Sequence, residues 1–162
     1  MKIKSEKDLY PDIEKWLNVY LRDKYKGYYI ETTIESSKIN LDKVLRERKI
    51  NLNEAMGLSI KVDILGILTR ANTDVQLVFV EVKNKPLTLK DIGQLWGYTK
   101  LINPKESFLI SSEGLGSLSY IFNVLKREDL LVYGEKNERT MQIAKWDLQT
   151  KSIDYRTLLP KK

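Results

Sequence analysis

Two apolar runs, Val62 to Leu68 and Val75 to Val82, stand either side of a polar stretch, Thr69 to Asp74. Runs of this length, rich in β-branched residues and bounded by a turn signal, predict a β-hairpin whose strands are buried on both faces. A different rhythm precedes it. From Ser5 to Tyr25, Leu9, Ile13, Trp16, Leu17, Tyr20 and Leu21 recur at helical spacing, and Pro11 is tolerated in the first turn. Ser5 or Asp8 can cap this helix, and Gly27 ends it. Tyr28 to Glu35 (YYIETTIE) reads as a strand.

Residues 36–61 read as an insertion with weak helical periodicity over Leu41 to Lys49, followed by a short helix or loop over Asn51 to Leu58. Beyond the hairpin, Pro86 breaks the chain and Thr88 opens a helix that runs to about Ile102. Asp91, three residues on, is placed for a capping box, and Asn103-Pro104 closes the helix. A buried strand is expected over Ser107 to Ser111, a turn at Gly114 and Gly116, a helix over Leu118 to Arg127 and a short strand over Leu130 to Tyr133. Met141 to Asp147 and Ser152 to Leu158 predict a C-terminal β-hairpin extension at about 140–158, bent at Gln149 to Lys151. The succession predicts a single α/β domain over residues 1–162: a central mixed β-sheet flanked by helices, with an antiparallel hairpin at its centre and crossovers adding further strands.

Charge changes this picture at three positions. Asp63 interrupts the first apolar run, and Glu81 and Lys83 interrupt the end of the second. Charged side chains inside a buried hairpin cost several kcal/mol unless partnered. Side chains alternate along a strand, so Glu81 and Lys83 share one face while Val80 and Val82 anchor the other. Asp63, on the neighbouring strand, can sit opposite them. Glu14 borders the buried face of the first helix, either as a solvated flank residue or as a further acidic member of the cluster.

Composition narrows what such a cluster can do. The 162 residues contain neither His nor Cys, which excludes disulfides, thiolate metal sites, cysteine nucleophiles and histidine acid–base chemistry. A catalytic metal must then be held by oxygen, which points to Mg²⁺, with Mn²⁺ able to substitute. Asp63 and Glu81 supply carboxylates, and the main-chain carbonyl of Val82 lies between Glu81 and Lys83. Lys83 can position or deprotonate an attacking water, or neutralise charge developing on a phosphoryl group. Net charge is +6, which favours a polyanionic partner. Lys43, Arg46, Arg48 and Lys49 concentrate in the insertion, either as a solvated helix face or as phosphate contacts. The opening MKIKSEKDLY has no apolar segment and no apolar run reaches about 18 residues, so no membrane association is expected and a cytoplasmic location is.

Asp63 in VDILGI and the Glu81-Val82-Lys83 triplet in VFVEVKNK, 18 positions apart (81 minus 63), resemble the signature of the PD-(D/E)xK nuclease superfamily. Here Val62 stands where the named pattern has Pro. The resemblance implies a restriction-endonuclease-like core and a Mg²⁺-dependent deoxyribonuclease, an endonuclease ahead of an exonuclease. In that reading Asp63 and Glu81 bind metal, Lys83 handles the water, and Glu14 matches the acidic residue that many members carry in their first helix, ligating directly or through water. Gln94 and Tyr98 match a Q-x-x-x-Y motif of several members; with Lys90 one turn earlier they imply contacts to a phosphate or base. DNA is the implied partner, and members of this size usually act as homodimers. Two other readings of the same residues stay open: a catalytically inactive nucleic-acid-binding module of the same fold, and a structural protein whose Asp63, Glu81 and Lys83 are ion pairs.

Overall fold

The computed structural model describes residues 2–71 and 74–161. Ser5 caps a 3-10 turn, Glu6–Leu9, that leads directly into α1 (Tyr10–Lys24). The Asp8 carboxylate accepts the amides of Lys4 and Ser5 at 2.9 and 3.2 Å, satisfying donors that a helix start otherwise leaves free. Strand β1 (Tyr29–Thr33) is followed by a 3-10 turn, Glu35–Ser37, and by α2 (Leu41–Arg46). The expected hairpin forms as β2 (Ile64–Arg70) and β3 (Asp74–Lys83). Then come α3 (Leu89–Ile102), β4 (Glu106–Ser111), α4 (Leu118–Asn123), the short strands β5 (Val132–Tyr133) and β6 (Arg139–Thr140), and the pair β7 (Gln142–Asp147) and β8 (Ser152–Leu159).

Six strands make one mixed sheet in the order β1-β2-β3-β4-β7-β8, and β5 and β6 make a separate two-stranded ribbon. β1, β2 and β3 are antiparallel neighbours; β3, β4 and β7 run parallel; β8 returns antiparallel to β7. The C-terminal hairpin is therefore the continuation of the central sheet. Each parallel step passes through a helix, as parallel neighbours require.

The sheet is buried on both faces. One face carries Ile64, Val80, Val82, Phe108, Ile110 and Trp146 against Ile13, Leu17 and Leu21 of α1. The other carries Leu65, Phe79, Leu109 and Ile143 against residues of α2, α3 and α4. Leu41, Val44 and Leu45 of α2 and Ala55 and Ile60 beyond it are part of this second core, so residues 36–61 close one face of the sheet. Among the described residues no helix is long and apolar enough to cross a membrane.

Three expected boundaries move for local reasons. Thr69, Arg70 and Asp74 belong to the strands, paired as Thr69↔Val75 and Arg70↔Asp74, and not to a turn. Arg70 grips Asp74 at 2.9 Å and lies 4.7 Å from the Tyr28 ring centre, which extends the ladder; Asn72 and Thr73 of the expected turn lie outside the described residues. α4 stops at Asn123, because Lys126 takes a left-handed conformation (φ 57°) and Arg127 turns to Asp129 at 2.8 Å. Strand β2 starts at Ile64, so Asp63 precedes the strand in which it was expected.

At Gly66 of β2 the sheet packs tightly against α1. A Cβ there would lie 2.8 Å from Leu21 Cδ1 and 3.1 Å from Val78 Cβ. Gly66→Ala is expected to lower stability by about 1–3 kcal/mol, read as a lower urea midpoint at constant m. An unchanged midpoint would mean that α1 can move away at no cost.

Candidate functional site

The β2–β3 ladder ends at the pair Ile64↔Val80. Beyond it, β3 still carries Glu81, Val82 and Lys83, whose outer edge has lost its backbone partner. The Asp63 side chain takes that place: its Oδ2 accepts the Val82 amide at 2.8 Å. Its Oδ1 accepts the hydroxyl of Tyr10, the first residue of α1, at 2.6 Å. In an extended strand the N–H and C=O of one residue point the same way. The Val82 carbonyl is thus directed toward the Asp63 side, while the Lys83 carbonyl takes the Ser112 amide on the β4 side at 3.1 Å.

Glu81 is 6% exposed. Its Oε1 lies 3.8 Å from Lys83 Nζ, an ion pair on one face of the strand, and its Oε2 has no hydrogen-bond donor among the described residues. Burial first, and then the neighbouring Asp63 carboxylate, push the Glu81 carboxyl up to about 9, with Lys83 opposing. Two carboxylates this close cannot both ionise cheaply without a cation between them. Burial, with the same Asp63 carboxylate, pushes the Tyr10 hydroxyl above its ordinary range, so it stays a donor. Ser36 Oγ and Ser112 Oγ, buried hydroxyls with no hydrogen-bond partner among the described residues, lie on segments bonded to this end of the sheet: the Ser36 carbonyl accepts the Val62 amide, and the Ser112 amide donates to the Lys83 carbonyl. Asp63, Glu81 and the Val82 carbonyl form a donor set suited to a hard cation, and Lys83, with only 17% of its side chain exposed, stands beside it.

The other predicted residues divide. Glu14 is half-buried one turn after Tyr10 and one turn before Asn18, whose amide reaches Thr32 of β1 at 3.2 Å. Burial raises its carboxyl. Among the described residues no three acidic side chains are grouped as around a metal, so Asp63 and Glu81 stand as a pair with Glu14 apart. Gln94 and Lys90 are exposed on one flank of α3, and Tyr98 is half-buried against the core below them. The basic cluster of the insertion is split. Lys43 and Arg46 line a groove of about 390 Å³ with Lys38, Asp42 and Lys61; Arg46 pairs with Asp42 at 3.6 Å, and Lys61 stands two residues before Asp63. Arg48 instead binds Glu31 at 2.7 Å and Glu35 at 3.4 Å, and with Lys49 it borders a cavity near the far end of the hairpin. Arg48 therefore ties the turn after α2 to β1, and its charge is spent on carboxylates.

Tyr10, Lys38 and Lys61 escaped the sequence reading. Tyr10 stands outside the apolar stripe that periodicity marks on the first helix, and nothing local links it to Asp63, 53 positions away. Comparison with protein-family models, curated proteins and solved structures finds no match for this chain.

Proposed function

We propose that this chain is a Mg²⁺-dependent deoxyribonuclease built on a restriction-endonuclease-like core. One observation carries the reading: the buried Glu81 carboxyl lies within hydrogen-bonding reach of a second carboxylate, Asp63, at the end of a strand pair, with a lysine beside them and no other donor to its Oε2 among the described residues. Asp63, Glu81 and the Val82 carbonyl would hold the cation, and Glu14, apart from that pair, would act only at longer range from the first helix. A bound Mg²⁺ polarises the scissile phosphate and acidifies water. Lys83 is restrained by Glu81 and places its ammonium where it orients the attacking water and offsets charge building on the phosphoryl oxygens. The groove lined by Lys38, Lys43, Arg46 and Lys61 takes the nucleic-acid backbone, and the Lys90–Gln94–Tyr98 flank of α3 is a second contact region.

The test is a cleavage panel on single-stranded, duplex, flap and four-way-junction DNA with Mg²⁺ and with Mn²⁺, beside calorimetric metal titration. Wild type is expected to cut at least one substrate and to stop on chelation. Lys83→Ala is expected to bind metal as wild type does and to lose about 10²–10⁴-fold in cleavage rate. Absence of both cleavage and metal binding would overturn the reading. The basic groove favours a second reading, a non-catalytic nucleic-acid-binding module. It predicts salt-sensitive DNA binding that neither chelator nor Glu81→Ala alters.

A further inference from the structure

We propose that Tyr10 is a positioning residue for the Asp63 carboxylate, holding it in the orientation that receives a divalent cation. The inference rests on the metal-site reading above.

Asp63 is poorly supported by its own segment. It sits at a bend outside the β2–β3 ladder, and a free carboxylate there would sample several rotamers. Two donors prevent this, and they come from different elements. The Val82 amide of β3 holds Oδ2 at 2.8 Å, and the Tyr10 hydroxyl of α1 holds Oδ1 at 2.6 Å. One donor on each oxygen fixes the plane of the carboxylate and leaves each oxygen with acceptor capacity.

Tyr10 is itself tightly placed. It is 5% exposed in the α1-side core, and the Ser5 and Asp8 turn anchors the chain immediately before it. A hydroxyl donor also draws off part of the negative charge that Asp63 presents to Glu81. The hydrogen bond therefore lowers the repulsion within the pair while leaving both carboxylates able to ligate. Partners behind a metal ligand typically change metal affinity by about 10–100-fold.

Tyr10→Phe removes the hydroxyl and keeps the ring. Ile13→Val is the control: it trims a fully buried residue on the same side of α1 that bonds nothing at the site. Wild type and both variants are titrated calorimetrically with Mn²⁺ in the absence of DNA, and their metal-free Tm values are compared. The expected result is a Kd about tenfold or more weaker in Tyr10→Phe, an unchanged Kd in Ile13→Val, and cleavage by Tyr10→Phe that recovers at saturating Mn²⁺ to within a few-fold of wild type. Equal Mn²⁺ affinity in Tyr10→Phe and wild type would overturn the inference while leaving the metal site standing. Equal weakening by Ile13→Val would overturn it too, because loosening of α1 would then be the cause. Absence of Mn²⁺ binding by wild type would overturn the metal-site reading and this inference with it.

Discussion

Glu81→Gln is expected to abolish metal-dependent cleavage and at the same time to make the metal-free protein more stable. The cleavage loss is expected to reach at least about 10³-fold, equivalent to about 4 kcal/mol, because an amide cannot supply the anionic ligand. The stability gain follows from linkage. Glu81 in the folded protein is pushed up to about 9 by burial and by Asp63, against an ordinary value of 4.5. The folded state binds this proton more tightly than the unfolded state does. Stability is therefore greatest below about 4.5 and falls as pH rises to about 9, by at most about 1.4 kcal/mol per pH unit. Glutamine removes that dependence. The Tm difference between Glu81→Gln and wild type should widen across this window and level off above it. Mg²⁺ is expected to raise the wild-type Tm by a growing amount as pH climbs toward about 9, because the competing proton on Glu81 is held less and less, and to leave that of Glu81→Gln unchanged. Thermal melts at pH 5, 7 and 8.5, with and without Mg²⁺, check all three statements. A variant less stable than wild type at pH 8.5, or a difference flat with pH, would mean that Lys83 alone balances Glu81.

The elements that periodicity marks are the ones the chain forms. The paired apolar runs become β2 and β3, Thr88 and Asp91 cap α3, and β3, β4 and β7 run parallel because helices separate them. Local rules suffice there, since each depends on residues within a few positions. They also explain why Glu81 and Lys83 share a face. They fail where a contact spans the chain. Tyr10 with Asp63, Lys61 beside α2, and Arg48 with Glu31 and Glu35 join segments whose adjacency only the assembled sheet creates. The end of the β2 ladder is another case. Asp63 has a strand-like sequence context, yet its carboxylate bonds to the Val82 amide beyond the last backbone pair, which no pattern of apolar positions reveals.

Glu106 is the clearest example, and it carries the second large effect. It opens β4 on the α1 face and is 5% exposed, an isolated charge in a buried strand much like Glu81. Its surroundings are the reverse of those of Glu81. Tyr20 donates to it at 2.7 Å, Gln142 at 3.0 Å, Tyr25 by a short hydrogen bond, and Lys24 approaches at 3.2 Å. Burial and this carboxylate push the Tyr20 and Tyr25 hydroxyls above their ordinary range, so both remain donors at any pH at which the protein folds. Glu106 is thus a saturated acceptor that ties the end of α1 to the sheet. Glu106→Ala leaves two tyrosine hydroxyls, an amide and an ammonium without their acceptor and is expected to cost about 3–5 kcal/mol. Glu106→Gln, isosteric but turning an NH₂ toward donors, is expected to cost about half as much. Urea denaturation should show both as lower midpoints, and the rate per folded molecule in the cleavage assay should stay near wild type. Two buried glutamates in one sheet would then respond oppositely to neutralisation. Removing the charge stabilises where an oxygen lacks a donor and destabilises where every donor is already committed, and that contrast separates the carboxylate suited to a ligand from the one that serves the fold.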